Sequence, residues 1–257
     1  MSTMVKTEDG NALSLNLLGK AEIILLMELV QESLTCETLE QFSAIINKLG
    51  NLICFDHCIS GFAAMENGGL KTYDIVYSSY PDGWLKVYEG SGYHNIDPIV
   101  RENFTRFGLQ YWKDTYREHT PPKKFLMESG DFNLKEGYTA GTRNRKGSEG
   151  SIFSISGSFL KREKRVEIAL GIIAPHLHNS MLRICNETKR QKAKISVREK
   201  DVLSWLKEGK SSWDISGILN VSEATVNFHI KNIMQKLDTV NRAQSVAKAI
   251  EIGVIDI

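Results

Sequence analysis

The sequence predicts an α+β domain followed by a smaller all-α domain. Over residues 1–185, patterns typical of helices and of strands alternate irregularly, without the regular strand–helix repeat of a parallel sheet. Residues 195–257 contain helical patterns only, and two short helices there meet at a tight turn. Residues 186–194 are polar and charged without an apolar period, so we expect them to link the two domains.

The first domain has helical spacing of apolar residues near both of its ends and strand-like runs between them. The helical segments are 14–34, 38–52 and 165–185. The strand-like segments are 60–64, 73–77 and 152–159. Residues 80–106 combine aromatic side chains with helical spacing, and a basic turn at 143–147 precedes the last predicted strand.

Charge is distributed unevenly between the two domains. The net charge of the whole chain is only +1, which excludes a polybasic protein that coats nucleic acid. Residues 190–257 nevertheless carry 11 Lys and Arg against 8 Asp and Glu, whereas the rest of the chain carries 21 and 23. The positive excess lies in the helical domain, and because it is modest we expect tight binding to phosphates to need two copies.

No segment favours a membrane, an export signal or a metal site. The sequence has no run of about 18 apolar residues, and its N-terminus is polar, so we expect a cytoplasmic protein without a transmembrane helix. Cys54 and Cys58 flank His57, but they lack a second pair of ligands and lie in an apolar run. We expect these two cysteines, with Cys36 and Cys185, to be free thiols, and we expect no metal and no cofactor.

The first short helix of the C-terminal pair is predicted over Ser212–Leu219. Asn220 and Val221 then break the pattern. Ser222 suits the N-cap of the next helix because its hydroxyl can accept a hydrogen bond from a free N–H group of the first turn. The apolar residues of the first helix, spaced for one buried face, are Trp213, Ile215, Ile218 and Leu219.

The second helix has an apolar face and a polar face. Asn227 and Lys231 lie four residues apart on the polar face, with Phe228 beside Asn227. In a helix-turn-helix this part of the second helix enters the major groove. There Asn can pair with adenine by two hydrogen bonds, Lys can reach guanine or phosphate, and Phe can pack on a thymine methyl group. An ordinary helical hairpin with a solvated polar face is the alternative. The apolar stripe is Val226, Ile230, Ile233 and Leu237.

Three motifs mark the C-terminal domain: Ser196-x-Arg198-Glu199, Gly209-Lys210-Ser211-Ser212-Trp213-Asp214-Ile215-Ser216, and Ser222-Glu223-Ala224-Thr225-Val226-Asn227-Phe228-His229. Together they make residues 196–253 resemble the DNA-binding domain of LuxR-type regulators. The resemblance implies a four-helix domain that binds an inverted repeat in promoter DNA as a homodimer and acts with RNA polymerase. The DNA-contacting residues it implies are Ser222, Thr225, Asn227, Phe228 and Lys231.

A further motif lies in the first domain, where Tyr80-Pro81-x-x-Trp84-x-x-x-Tyr88 is followed by Asp97-Pro98, Trp112 and Gly141. In this order the residues resemble the autoinducer-binding domain of LuxR-type quorum-sensing receptors, over about residues 15–180. The resemblance implies an α-β-α sandwich whose ligand is an N-acyl homoserine lactone.

An acyl homoserine lactone offers a lactone carbonyl, an amide N–H, an amide carbonyl and an apolar tail. A carboxylate can accept the amide N–H, and an indole N–H, which can only donate, suits a carbonyl. The resemblance assigns the lactone carbonyl to Trp84, the amide N–H to Asp97 and the amide carbonyl to Tyr80. The other residues it places in the pocket are Tyr88, Trp112 and Ser154.

Composition alone leaves another interpretation open, in which the aromatic residues form an ordinary core and Asp97 caps a helix before Pro98. The two domains together favour a transcription activator whose buried signal stabilises a DNA-binding dimer. Alternatives are a related receptor for an exogenous or non-lactone signal and, from another class, an enzyme acting on a small lactone or amide. No Ser-His-Asp or metal-ligand set occurs near Asp97 to favour the enzyme.

Overall fold

The structure is a computed structural model and describes residues 4–6, 12–66, 69–106, 108–143 and 149–256. The chain divides into two compact units, Met1–Met181 and Leu182–Ile257. The basic turn predicted at 143–147 lies, apart from Arg143, outside the described residues.

A five-stranded antiparallel sheet forms the centre of the first unit. Its strands are β3 (His57–Glu66), β4 (Gly69–Ser78), β5 (Gly108–Tyr111), β6 (Gly137–Arg143) and β7 (Glu149–Ser156). They pair in the order β4-β3-β7-β6-β5. The central strand β7 buries Phe153 and Ile155, in keeping with the preference of aromatic and β-branched residues for a pleated surface. A separate antiparallel pair joins β1 (Met4–Lys6) to β2 (Ala12–Ser14).

Helices pack on one face of the sheet through aromatic contacts. The ring of Phe42 meets that of Tyr77 edge-on, with 5.7 Å between centroids. Phe62 meets His178 in the same way at 5.6 Å. The helices of this layer are α1 (Lys20–Leu34), α2 (Leu39–Leu49) and α7 (Lys164–Ala193), the last of which begins in the first unit.

The opposite face of the sheet is covered by four short helices. A Cβ atom added at Gly137 would lie 2.7 Å from Cε2 of Trp112, so glycine is needed for the indole to rest on β6. These helices are α3 (Asp82–Gly90), α4 (Pro98–Arg106), α5 (Trp112–Glu118) and α6 (Lys123–Asp131). Helices on both faces of an antiparallel sheet confirm the predicted α+β class and the α-β-α sandwich.

Several boundaries differ from the sequence prediction. The strand predicted over 152–159 ends at Ser156, because the N–H of Gly157 turns to the carbonyl of Glu136 and the chain leaves the sheet. Phe159, predicted to belong to this strand, is 85% exposed. The first helix begins at Lys20 rather than at residue 14, after a short 3-10 turn.

Residues 186–193, predicted as part of the interdomain linker, are helical as the end of α7. A polar stretch without an apolar stripe can still continue a helix that packing has started upstream. Lys194 then adopts a positive φ of 47° and ends the helix. That residues 186–194 link the two domains stays a prediction.

Besides the end of α7, the described residues of the second unit form four helices around one apolar core, as predicted. The helices are α8 (Val197–Lys207), α9 (Ser212–Leu219), α10 (Glu223–Leu237) and α11 (Arg242–Glu251). Each begins with a side-chain cap that accepts a backbone N–H from three residues on; the caps are Ser196, Ser211, Ser222 and Asn241. The predicted stripe of α10, from Val226 to Leu237, is buried.

The prediction for α9 was wrong for two apolar residues. Ile215 is fully buried, but Trp213 is 73% exposed and Ile218 is 45% exposed. At about 100° per residue, Trp213 lies on the side of the helix away from Ile215. A helix of two turns therefore buries one narrow edge and leaves the indole in solvent.

Candidate functional site

A cavity of about 160 Å³ lies in the first unit, between the sheet and helices α3 to α6. Its wall is predominantly apolar, with a few polar groups, which is the usual character of a small-molecule site. All six residues expected at the ligand line this cavity: Tyr80, Trp84, Tyr88, Asp97, Trp112 and Ser154.

Asp97 is the buried acidic group of the cavity, with only 8% of its surface exposed. Its Oδ1 accepts the backbone N–H of Ile99 at 2.8 Å, and its Oδ2 accepts the hydroxyl of Tyr88 at 2.9 Å. Burial raises the pKa of Asp97 to about 6, although both hydrogen bonds act in the opposite direction. The bond to Ile99 is the helix-capping contact considered above, so Asp97 caps α4 and lines the cavity at once.

Trp84, on α3, forms the centre of an aromatic cluster that other elements complete. Its ring lies 5.6 Å from that of Tyr88 and stacks against Tyr93 at 6.0 Å, and it is 4% exposed. In the part of the chain that the structure describes, the indole N–H of Trp84 makes no hydrogen bond. A donor that lines a cavity without a protein partner is suited to a ligand carbonyl.

Trp112 and Ser154 are joined by a third polar residue. The indole Nε1 of Trp112 donates to Oγ1 of Thr139 at 2.8 Å, and this Oγ1 lies 2.7 Å from Oγ of Ser154. The N–H of Trp112 is thus already satisfied, which fits its expected role as a wall of the pocket. Ser154 retains a second hydrogen-bonding capacity for a ligand.

Tyr80 and Tyr116 bring two further phenols to the cavity. Burial of each hydroxyl is the largest cause that raises its pKa above the ordinary range, so both stay neutral donors. Tyr116 was not among the predicted residues. It follows Trp112 by four positions on α5, and this spacing, which puts both on one helix face, was the signal available in the sequence.

The polar face of α10 carries the residues expected at DNA. Ser222 caps the helix by accepting the N–H of Thr225 at 3.1 Å, and the two hydroxyls lie 2.8 Å apart. Phe228 is 60% exposed, and Lys231 is also exposed. Asn227 differs from the rest, because its Oδ1 accepts hydrogen bonds from side chains of two other helices of the domain.

Neither a metal site nor a membrane-spanning helix occurs among the described residues. They contain no group of three or more His, Cys, Asp or Glu side chains placed to hold a metal ion. Cys36, Cys54, Cys58 and Cys185 are thiols, and none of them forms a disulfide within the described residues. Within the ranges that the structure describes, every helix is too short or too polar to span a bilayer.

Both units match known protein families. Residues 38–181 match the family described as autoinducer binding domain, and residues 193–249 match bacterial regulatory proteins, luxR family. The transcriptional activator protein VanR of Vibrio anguillarum is 31% identical, over 90% of this chain and 98% of its own length. The transcriptional activator protein LuxR of Aliivibrio fischeri is 28% identical, over 89% and 94%. Another relative, the putative HTH-type transcriptional regulator y4qH of Sinorhizobium fredii, is 35% identical over 70% of this chain, and the matched region covers only 56% of that relative.

Solved structures share the fold at lower identity. Escherichia coli SdiA superposes with a TM-score of 0.59 at 22% identity, over 91% of this chain and 99% of SdiA. CepR2 of Burkholderia cenocepacia, described as an N-acylhomoserine lactone dependent LuxR family factor, superposes with a TM-score of 0.56 at 14% identity, over 65% and 98%. The matched domains are those of a transcriptional regulator and not of an enzyme. The chain therefore belongs to the LuxR family of transcriptional regulators, with an autoinducer-binding domain ahead of a helix-turn-helix DNA-binding domain.

Proposed function

We propose that this regulator is a cytoplasmic transcription activator that responds to an N-acyl homoserine lactone bound in the cavity of the first unit. The observation that carries the proposal is the buried carboxylate of Asp97, which lines an apolar cavity together with the indole N–H of Trp84, a donor that has no hydrogen-bond partner among the described residues. A fixed acceptor and a fixed donor match the amide N–H and the carbonyl groups of such a ligand.

Each polar group of the ligand has a protein group to meet it. Asp97 accepts the amide N–H, Trp84 donates to the lactone carbonyl, and Tyr80 donates to the amide carbonyl. Ser154 adds a hydroxyl beside the amide carbonyl, since it stays linked to Thr139 by only one hydrogen bond. Tyr88 and Trp112 form the walls, and the acyl tail occupies the apolar remainder.

The ligand offsets the cost of burying Asp97. An ionised carboxylate in an apolar cavity is unfavourable, and this cost is what raises its pKa to about 6. A ligand N–H that donates to the carboxylate replaces part of the lost hydration and fills the cavity. Binding to the native state then stabilises the first domain by mass action.

The second domain acts as one half of a DNA-binding homodimer at an inverted repeat in promoter DNA. Its charge excess is small, so one copy neutralises few phosphates, and two copies raise the affinity. Two-fold symmetry of the dimer would match the symmetry of an inverted repeat. Activation through RNA polymerase is in keeping with the activator relatives.

Ligand-dependent DNA selection tests this proposal. The full chain is prepared from cells grown with a mixture of butanoyl, octanoyl and dodecanoyl homoserine lactones, and separately from cells grown without them. We expect the first preparation to melt at a higher temperature, to dimerise and to select an inverted repeat from randomised duplexes. A receptor for a non-lactone signal would give the same result from both preparations and would overturn the lactone assignment.

A further inference from the structure

The amide of Asn227 is held by two other helices of the DNA-binding domain. Its Oδ1 accepts a hydrogen bond from Oγ of Ser212 at 2.7 Å and another from Nη2 of Arg242 at 3.1 Å. Ser212 is the first residue of α9, and Arg242 is the first residue of α11. One side chain on the polar face of α10 therefore connects three helices.

These contacts fix which end of the amide faces the solvent. A guanidinium can only donate, so the Asn227 atom that faces Arg242 has to be the oxygen. A carbonyl oxygen has two acceptor sites, and Ser212 and Arg242 use both of them. The NH₂ group is left as the outward end, and among the described residues it has no acceptor.

The position of Arg242 is itself well defined. Asn241 caps α11 by accepting the N–H of Gln244 at 2.8 Å, which fixes the first turn of the helix. A cation in the first turn of a helix opposes the helix dipole, so its placement there does not favour α11 itself. In the region that the structure describes, the guanidinium of Arg242 makes no ion pair, and its one hydrogen bond goes to Asn227.

We propose that Ser212 and Arg242 are positioning residues that leave Asn227 with N–H donors only, so that it recognises an acceptor on a base edge. Such acceptors in the major groove are N7 and O6 of guanine, N7 of adenine and O4 of thymine. The two-bond pair with adenine, considered above from the sequence, needs Oδ1 as an acceptor for the adenine amino group and is thereby excluded. This assignment rests on the proposed DNA-binding function.

The first test locates the base and identifies the atom that Asn227 contacts. The full chain, prepared with the lactone mixture, selects a duplex, and the base pair whose preference is lost in Asn227→Ala marks the contact. We expect a guanine, thymine or adenine there. Removal of the contacted acceptor should weaken binding as much as Asn227→Ala does. The analogues are a 7-deaza purine for N7, 2-aminopurine for O6 of guanine and 5-methyl-2-pyrimidinone for O4 of thymine. If the base is adenine and removal of its amino group weakens binding equally, the proposal is overturned.

The second test concerns Arg242. Arg242→Ala frees one acceptor site on Asn227. The affinity for a duplex with adenine at the marked position, divided by the affinity for a duplex with another base there, should therefore rise by on the order of tenfold over the wild-type ratio. Arg242→Lys retains a donor and should keep the wild-type preference. Preference is a ratio of affinities for two duplexes. If Arg242→Ala also removes a contact to phosphate, the affinity for both duplexes falls equally and the ratio does not change.

A structural role alone would lower stability and leave this ratio unchanged. Unchanged preference in a folded Arg242→Ala, judged by its melting curve, therefore overturns the proposal. If Arg242→Ala does not fold, Ser212→Ala is used in its place, because it frees the other acceptor site. An unchanged preference in folded Ser212→Ala would then overturn the proposal. A wild-type chain that selects no sequence at all would overturn the proposed function, and this assignment with it.

Discussion

The hydroxyl of Tyr88 donates a hydrogen bond to Oδ2 of Asp97 over 2.9 Å, inside the cavity of the first domain. Tyr88 belongs to α3, whereas Asp97 precedes α4, so this bond fixes the carboxylate relative to two helices. The N–H of Ile99 holds the other oxygen. The carboxylate keeps acceptor capacity for a ligand, and it is oriented before any ligand arrives.

Substitution of Asp97 by asparagine should weaken the response to the lactone. The introduced side-chain amide is uncharged, so it gives a weaker hydrogen bond to the ligand N–H, or opposes it with a second donor if the amide turns. The expected loss is about 1–3 kcal/mol, which shifts the dose-response curve of a promoter reporter by about tenfold or more. Asp131→Asn, at an exposed position, is the control. An unchanged half-maximal dose in Asp97→Asn would remove this residue from the site.

Binding of the lactone should weaken at acidic pH. The pKa of Asp97 in the unliganded protein is about 6, and protonation removes the charge that accepts the ligand amide. Affinity measured by calorimetry should therefore fall between pH 7 and pH 5, by about tenfold at most. Asp97→Asn should show a flatter profile.

Protonation of Asp97 has the opposite effect on the free energy of unfolding of the unliganded protein. Since the native pKa is above that of the unfolded chain, near 4, the native state binds more protons between these two values. The contribution of Asp97 to the free energy of unfolding therefore falls as pH rises from about 4 to 6. Denaturant titrations of the wild type and Asp97→Asn should diverge in this window, and parallel curves would contradict the raised pKa.

Loss of the indole N–H of Trp84 should weaken the binding of every lactone to the same extent. Trp84→Phe keeps an aromatic wall and removes one donor, so binding should weaken by about 0.5–1.5 kcal/mol for short and long tails. Trp112→Phe is a matched contrast, because its N–H is bonded to Thr139 and its loss should lower thermal stability first. If Trp84→Phe lost affinity only for lactones with long acyl tails, Trp84 would contact the tail and not the lactone carbonyl.

Gly141 should not tolerate a side chain. A Cβ atom there would lie 1.9 Å from Oδ1 of Asn103, a residue that is 2% exposed and cannot move freely. Gly141→Ala should destabilise the first domain by about 1–3 kcal/mol, measured by denaturant unfolding. Gly217→Ala is the control, since a Cβ atom at Gly217 meets nothing within 4 Å and alanine favours its helix. Asn103→Ala removes the side chain that the new Cβ atom would meet, so Gly141→Ala should destabilise an Asn103→Ala background less than the wild type. If the destabilisations of the two single variants simply added in the double variant, the clash would not be the cause.

Much of the fold could be predicted because local patterns agree with it. The stripe Val226 to Leu237 has helical spacing and is buried, and Ser222 caps that helix. Trp213 was placed in the core wrongly, because apolar spacing over a helix of two turns does not determine which edge packs. Helices α5 and α6 were missed, since short helices with polar faces have too few apolar positions to show a period.

The candidate ligand residues were found through a motif, and their partners were not. Thr139, which joins Trp112 to Ser154, comes from a strand that the sequence does not distinguish from a loop. The engagement of Asn227 by Arg242 spans 15 residues and depends on tertiary packing of α11. Pairs of this kind lie beyond local periodicity, which extends over only three or four residues of a helix.

Mass spectrometry of the small molecule that co-purifies with the full chain tests the central claim most directly. Cells supplied with the lactone mixture should yield protein that retains one intact acyl homoserine lactone in an equimolar amount, and Asp97→Asn should retain much less. Protein that retains no lactone, or only a ring-opened or deacylated product, would contradict the claim that this cavity binds the lactone as a signal.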